Sequence, residues 1–167
     1  MSIEDAKEHL ANEIAQILLH QINKAEQEKL KFFKQFIGNS LNNANFKQIF
    51  NFGKVLKHNA LKLKMIPDDK GQERQFNLDN YILSIHSNEI RHIKNNHPKD
   101  LNLLYNLYDI YHNFDKAQWN LIKNKATGKP IIAISFFKHY KDGIAKAVTI
   151  YTNNAKELRL KTLFRLN

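Results

Sequence analysis

Cysteine is absent from all 167 residues. That excludes disulfides, thiolate metal sites and a cysteine nucleophile. Proline and glycine are scarce, at 3 and 5, so the few present mark the breaks between elements. No apolar run approaches the roughly 20 residues that a membrane-crossing helix needs. The opening Met1-Ser-Ile-Glu-Asp is acidic and amphipathic, without the basic and apolar regions of a secretory signal. A cytoplasmic protein with no membrane partner is the expectation.

Acidic residues are the other scarcity, and it is local. Residues 116–167 hold 11 Lys/Arg and only Asp142 and Glu157 against them, a net of +9. Residues 1–115 hold 15 Lys/Arg against 14 Asp/Glu, a net of +1. A compositional bias toward lysine would raise both parts alike. The asymmetry therefore points to a surface that binds RNA or another polyphosphate.

What is present, at 43% hydrophobic and 25% charged, suits one globular domain with or without a helical extension. From Ile3 to about Ile37, Ala6, Leu10, Ile14, Ile17, Leu18, Ile22 and Ala25 recur at helical spacing. Ser2 with Asp5 resembles an N-cap, and Gly38 is a plausible stop. Phe46, Ile49 and Phe50 predict a short helix over 45–52, closed by Gly53. Residues 54–66 fit helix or strand, with 61–65 alternating. The polar stretch 67–77 reads as a linker. Beyond it the pattern is strand (80–85), helix (87–96) and helix (101–112). Strands follow over 117–123, 131–138 and 144–152, with 158–166 either helix or strand. Turn sequences at Thr127-Gly128-Lys129-Pro130 and Tyr140-Lys-Asp142-Gly143 suit an antiparallel meander. The fold class is α+β, with a helical extension over 1–66 and a helix-helix-sheet domain of about four strands over 78–167.

The chemistry concentrates in Tyr81–Pro98. An apolar strand feeds a helix that presents His92 and His97 and stops at Pro98. Histidine titrates nearest neutrality and serves as acid or base with little tuning. Ile90, Ile93 and His97 share one side of that helix. The bland alternatives are that His97 caps the helix end and that His92 is exposed beside Glu89. Two helical metal ligands want i, i+4 spacing. This pair, five apart, fits no metal, and no cofactor is expected.

In the strand 144–152, Thr149 and Tyr151 lie on one face with Ala145 and Ala147, while Lys146 lies on the other. Thr and Tyr are ordinary strand formers, or else they form a hydroxyl ledge for a phosphate. Lys138, Lys146 and Arg159 are candidates to offset charge on a phosphorane, with Arg91 beside His92 a further phosphate contact. Arg159 is favoured because guanidinium grips phosphate bidentately.

The run Ile85-His-Ser-Asn-Glu-Ile-Arg-His92-Ile-Lys-Asn-Asn-His97, then a helix, strands and Val148-Thr149-Ile-Tyr151, resembles phage-associated members of the barnase/EndoU/colicin/RelE-like RNase superfamily. The resemblance covers roughly residues 78–167. It implies a metal-independent RNase fold, with helices packed on a four-stranded antiparallel sheet. The helix-borne His-Ile…His of that pattern matches His92, Ile93 and His97, its strand Thr-x-Tyr matches Thr149 and Tyr151, and Lys138 stands for its basic residue. Such members are toxin-type domains of phage and mobile elements, and a soluble RNase toxin needs a protein inhibitor in its own cell. The expected activity is a toxin-type endoribonuclease. The alternatives are a non-catalytic nucleic-acid-binding module, and a helical assembly protein that forms a homo-oligomer through residues 3–37.

Overall fold

A helix of 40 residues, α1 (Ile3–Asn42), opens the chain. The computed structural model describes residues 2–166, and for 18–23 the backbone alone. Ser2 and Asp5 form a capping box: the Ser2 hydroxyl accepts from the Asp5 N–H (3.1 Å), and the Asp5 carboxylate accepts from the Ser2 N–H (3.4 Å). Gly38 does not end the helix. A helical glycine costs about 1 kcal/mol relative to alanine but forbids nothing, and the extra turn is held from outside. Ser40 Oγ donates to Phe36 O (2.7 Å), and the Arg91 guanidinium donates to Ser40 O (2.9 Å) and Asn43 O (3.2 Å). Ala6, Leu10, Ile14, Ile17 and Ala25 are exposed; the side chains of Leu18 and Ile22 lie outside the described residues.

The chain divides into two compact units, Met1–Gln35 and Phe36–Asn167. The expected boundary at 67–77 is therefore misplaced. Those residues fold inside the second unit around the hairpin β2 (Met65–Pro67) and β3 (Glu73–Gln75). Asp68 Oδ1 accepts from the N–H groups of Lys70 and Gln72 (2.9 and 2.8 Å), and Trp119 Nε1 donates to Gln72 O (3.1 Å). Polarity that reads as a linker is here the composition of a turn.

The helix expected over 45–52 is instead strand β1 (Ile49–Lys54), paired antiparallel with β4 (Ile82–His86). Phe46, Ile49 and Phe50 do satisfy helical spacing, but Phe50 and Phe52 also satisfy period 2, and pairing with β4 decides. Gly53, at φ 97°, sits where the register shifts between Asn51 and Lys54. The short helix α2 (Lys57–Leu63) follows.

After β4 come α3 (Ser87–Asn96), a 3₁₀ segment (Pro98–Asn106), α4 (Leu107–Asn113), β5 (Lys116–Lys123), β6 (Pro130–Tyr140), β7 (Gly143–Thr152) and β8 (Glu157–Leu166). The expected helix 101–112 is divided between this 3₁₀ segment, which Pro98 opens, and α4. The main sheet has six strands in the order β1-β4-β8-β7-β6-β5, not about four. Neighbours are antiparallel except β4 and β8, which run parallel. That pairing spans only Ile82–Ser84 against Glu157–Arg159. Beyond it α3 continues from β4 and packs on β8.

One sheet face buries Ile134, Phe136, Ala147, Leu160 and Leu163. Tyr111 and Phe114 meet Phe136 at centroid distances of 5.8 and 5.0 Å. Phe136 is wholly inaccessible, so its truncation to alanine costs about 3–5 kcal/mol. Among the described residues no helix is long and apolar enough to cross a membrane.

Candidate nucleic-acid interface

The opposite sheet face carries the candidate site. Strand register sets Lys116 of β5 against Phe137 of β6, Phe137 against Lys146 of β7, and Lys146 against Phe164 of β8. Directly opposed residues point to the same face, so four strands contribute to one row of alternating cation and aromatic. The Lys116 ammonium stands 4.9 Å from the Phe137 centroid, and that of Lys146 stands 5.4 Å from Phe137 and 5.8 Å from Phe164. These are cation–π distances. Phe137 is buried under two ammonium groups and so positions charge rather than offering a face to a base.

The row ends at the two histidines. His97 terminates α3 in a non-helical conformation (φ −136°, ψ 55°), its N–H donating to Ile93 O (2.8 Å). Its ring stacks on Phe164 at 5.6 Å and 22°. His92 follows at 6.5 Å from His97, nearly edge-on at 70°. His92 is exposed and His97 half-buried, so both rings stay open to solvent. The Asn96 amide nitrogen lies 2.9 Å from His92 Nδ1 and 3.1 Å from His92 O. As Asn96 donates to both, this network assigns the proton of neutral His92 to the outward Nε2. Ile90 and Ile93 are fully buried and fix the helix that carries both rings.

Other expected site residues do not converge there. Thr149 is fully buried and its hydroxyl donates to Ile134 O (2.7 Å); it contacts the sheet backbone and reaches no solvent. Tyr151 lies five positions from Lys146 on β7, on the other face and about 16 Å along the strand. Its ring stacks on Tyr81 (5.5 Å, 6°), whose hydroxyl donates to it (3.2 Å). Burial first, then that contact, pushes the Tyr81 phenol up to about 12. Lys138 faces the same side as Ala145 and lies 3.8 Å from Asp115, away from Lys146. Arg91 donates to Ser40 O, Asn43 O, Phe46 O and Asn88 Oδ1; its fork is spent on holding the end of α1. A helical position beside His92 says nothing of where so long a side chain is consumed.

Arg159 is on the same face as the row, but its guanidinium is bonded to Glu157. Ser84 Oγ also donates to that carboxylate (2.6 Å). Burial alone would raise the Glu157 carboxyl; the bonds from Arg159 and Ser84 outweigh it and hold the group below the ordinary glutamate range. His86 stands at this end, its Nδ1 accepting from the Asn88 N–H (3.0 Å). Burial, then the charges of Arg159, Arg91 and Lys47, lowers its pKa. Among the described residues no three His, Asp or Glu side chains are grouped to hold a metal.

Lys116, Phe137 and Phe164 escaped the sequence reading as site residues. Their common row depends on the register of four strands, and only the Phe-Lys phase within each strand hints at it. No family model, characterised protein or solved structure matches the chain.

Proposed function

We propose that the protein binds single-stranded RNA along the Lys116–Phe137–Lys146–Phe164 row and cleaves it at His92 and His97 as a metal-independent endoribonuclease. The observation that carries the reading is the histidine pair, open to solvent and joined through Phe164 to a cationic row. Alternating ammonium groups suit successive phosphates. A 2′-hydroxyl held at the imidazoles would attack the adjacent phosphate, leaving a 2′,3′-cyclic phosphate and a 5′-hydroxyl. One imidazole of the pair takes the 2′-hydroxyl proton as general base, and the other, entering as imidazolium, protonates the leaving 5′-oxygen. Lys146 offsets the developing charge. Of the sequence resemblance to toxin-type RNases, the His92–His97 part points to the same chemistry, while Thr149, Tyr151 and Lys138 lie away from the pair.

The purified chain is expected to cleave unstructured RNA in EDTA with a bell-shaped pH profile. Replacing His97 by alanine should lower the rate by about 100-fold or more. A requirement for added divalent metal would sink the mechanism. The burial of Thr149 favours a second reading, non-catalytic RNA binding on the same row, because a hydroxyl partner for the imidazoles is missing. In that case no RNA yields product, and His92→Ala with His97→Ala leaves salt-sensitive binding intact.

A further inference from the structure

Helix α1 bears an exposed apolar stripe. Ile3, Leu10, Ile14, Ile17 and Phe32 are 75, 57, 49, 58 and 59% exposed. At 3.6 residues per turn they lie with Ala25 inside an arc of about 80°, over a length of about 43 Å. Two exposed charges, Lys7 and Glu28, interrupt the stripe. The helix is also polarised along its length. Residues 2–17 carry Glu4, Asp5, Glu8 and Glu13 against Lys7, a net of −3. Residues 24–35 carry Lys24, Lys29, Lys31 and Lys34 against Glu26 and Glu28, a net of +2.

We propose that α1 pairs antiparallel with α1 of a second copy of this chain. One register matches the two ends of the stripe, with its two-fold axis between positions 17 and 18. It sets Ile3 against Phe32, Leu10 against Ala25, and Lys7 against Glu28, so the two interruptions meet with opposite sign. On the flanks, Glu13 lies on the same side of the helix as Lys24, and Glu4 on the same side as Lys29. An antiparallel pair brings like flanks together, so acid meets base on both sides. A parallel pair would instead set Lys7 against Lys7 and Glu28 against Glu28. Like charges at that point disfavour it.

The lack of cysteine makes the test direct, because every introduced thiol is unique. Full-length Ile3→Cys and Phe32→Cys are oxidised separately and as an equimolar mixture. A disulfide-linked dimer in the mixture alone supports the antiparallel register. Dimers in each variant alone mean parallel pairing and overturn it. Sedimentation of the unmodified chain should give twice the 19.6 kDa chain mass; a monomer at every concentration overturns the proposal. Lys7→Glu should weaken association at least tenfold and the double variant Lys7→Glu/Glu28→Lys should restore it. Failure of that restoration overturns the register.

Discussion

The imidazole of His97 lies almost flat on the ring of Phe164, 5.6 Å away at 22°, so the last strand of the sheet sets the position of a helix-borne side chain. A leucine at 164 would keep apolar volume and remove the flat platform. Misplacement by about 1 Å at a reacting centre costs about 100-fold in rate. Phe164→Leu should therefore lower kcat of RNA cleavage by that order while its melting temperature stays within a few degrees of the parent. Single-turnover kinetics beside thermal melting measures both. An unchanged kcat would show that His97 needs no support.

Lysines on the two sheet faces should separate in their salt dependence. Each phosphate contact on a single strand adds about 0.7 to the slope of log affinity against log salt. Removal of Lys116 or Lys146 should reduce the slope by about that amount. Lys138→Ala, facing Asp115 on the other side, should leave it unchanged. Fluorescence anisotropy with a labelled oligonucleotide over a salt series reads the difference.

Arg91 and Thr149 are predicted to matter for stability alone. Arg91→Ala strips donors from the carbonyls of Ser40, Asn43 and Phe46, a loss of about 2–3 kcal/mol. Arg91→Lys should recover little, because an ammonium cannot span three acceptors as a fork does. Thr149→Val removes one buried bond to Ile134 O and costs about 1 kcal/mol. Chemical denaturation gives these differences, and RNA affinity should not move in either case.

His86 makes stability fall in weak acid. Its folded pKa lies below the ordinary 6.5, through burial and then the charges of Arg159, Arg91 and Lys47. Between 6.5 and that lower value the unfolded chain binds more protons than the native one, so stability declines as pH drops through the window. Below the folded value the decline from this group ceases. In denaturation midpoints measured from pH 7.5 to 5, His86→Asn should flatten the curve. The same slope in the variant would assign the effect elsewhere.

Which parts were readable in advance follows from the range of the forces. The capping box at Ser2 and Asp5, α3 over 87–96 and the tight turn that joins β6 to β7 rest on contacts within a few residues. They were legible. Strand β1 was not, because a run with Phe46, Ile49, Phe50 and Phe52 satisfies both periods and only β4 selects one. Nor was the end of α1, where a distant arginine supplies what Gly38 does not.

The candidate site divides in the same way. Local spacing determined that His92 and His97 stand at the end of one helix, and local composition determined that the chain after residue 115 is cationic. Which cations join those rings was decided by register across four strands, with Lys146 on the face of Phe164 and Lys138 turned to Asp115. Side-chain alternation is a property of one strand, whereas a shared row exists only once neighbours are hydrogen-bonded in register. Register between successive strands therefore made the surface, and no single strand encodes it.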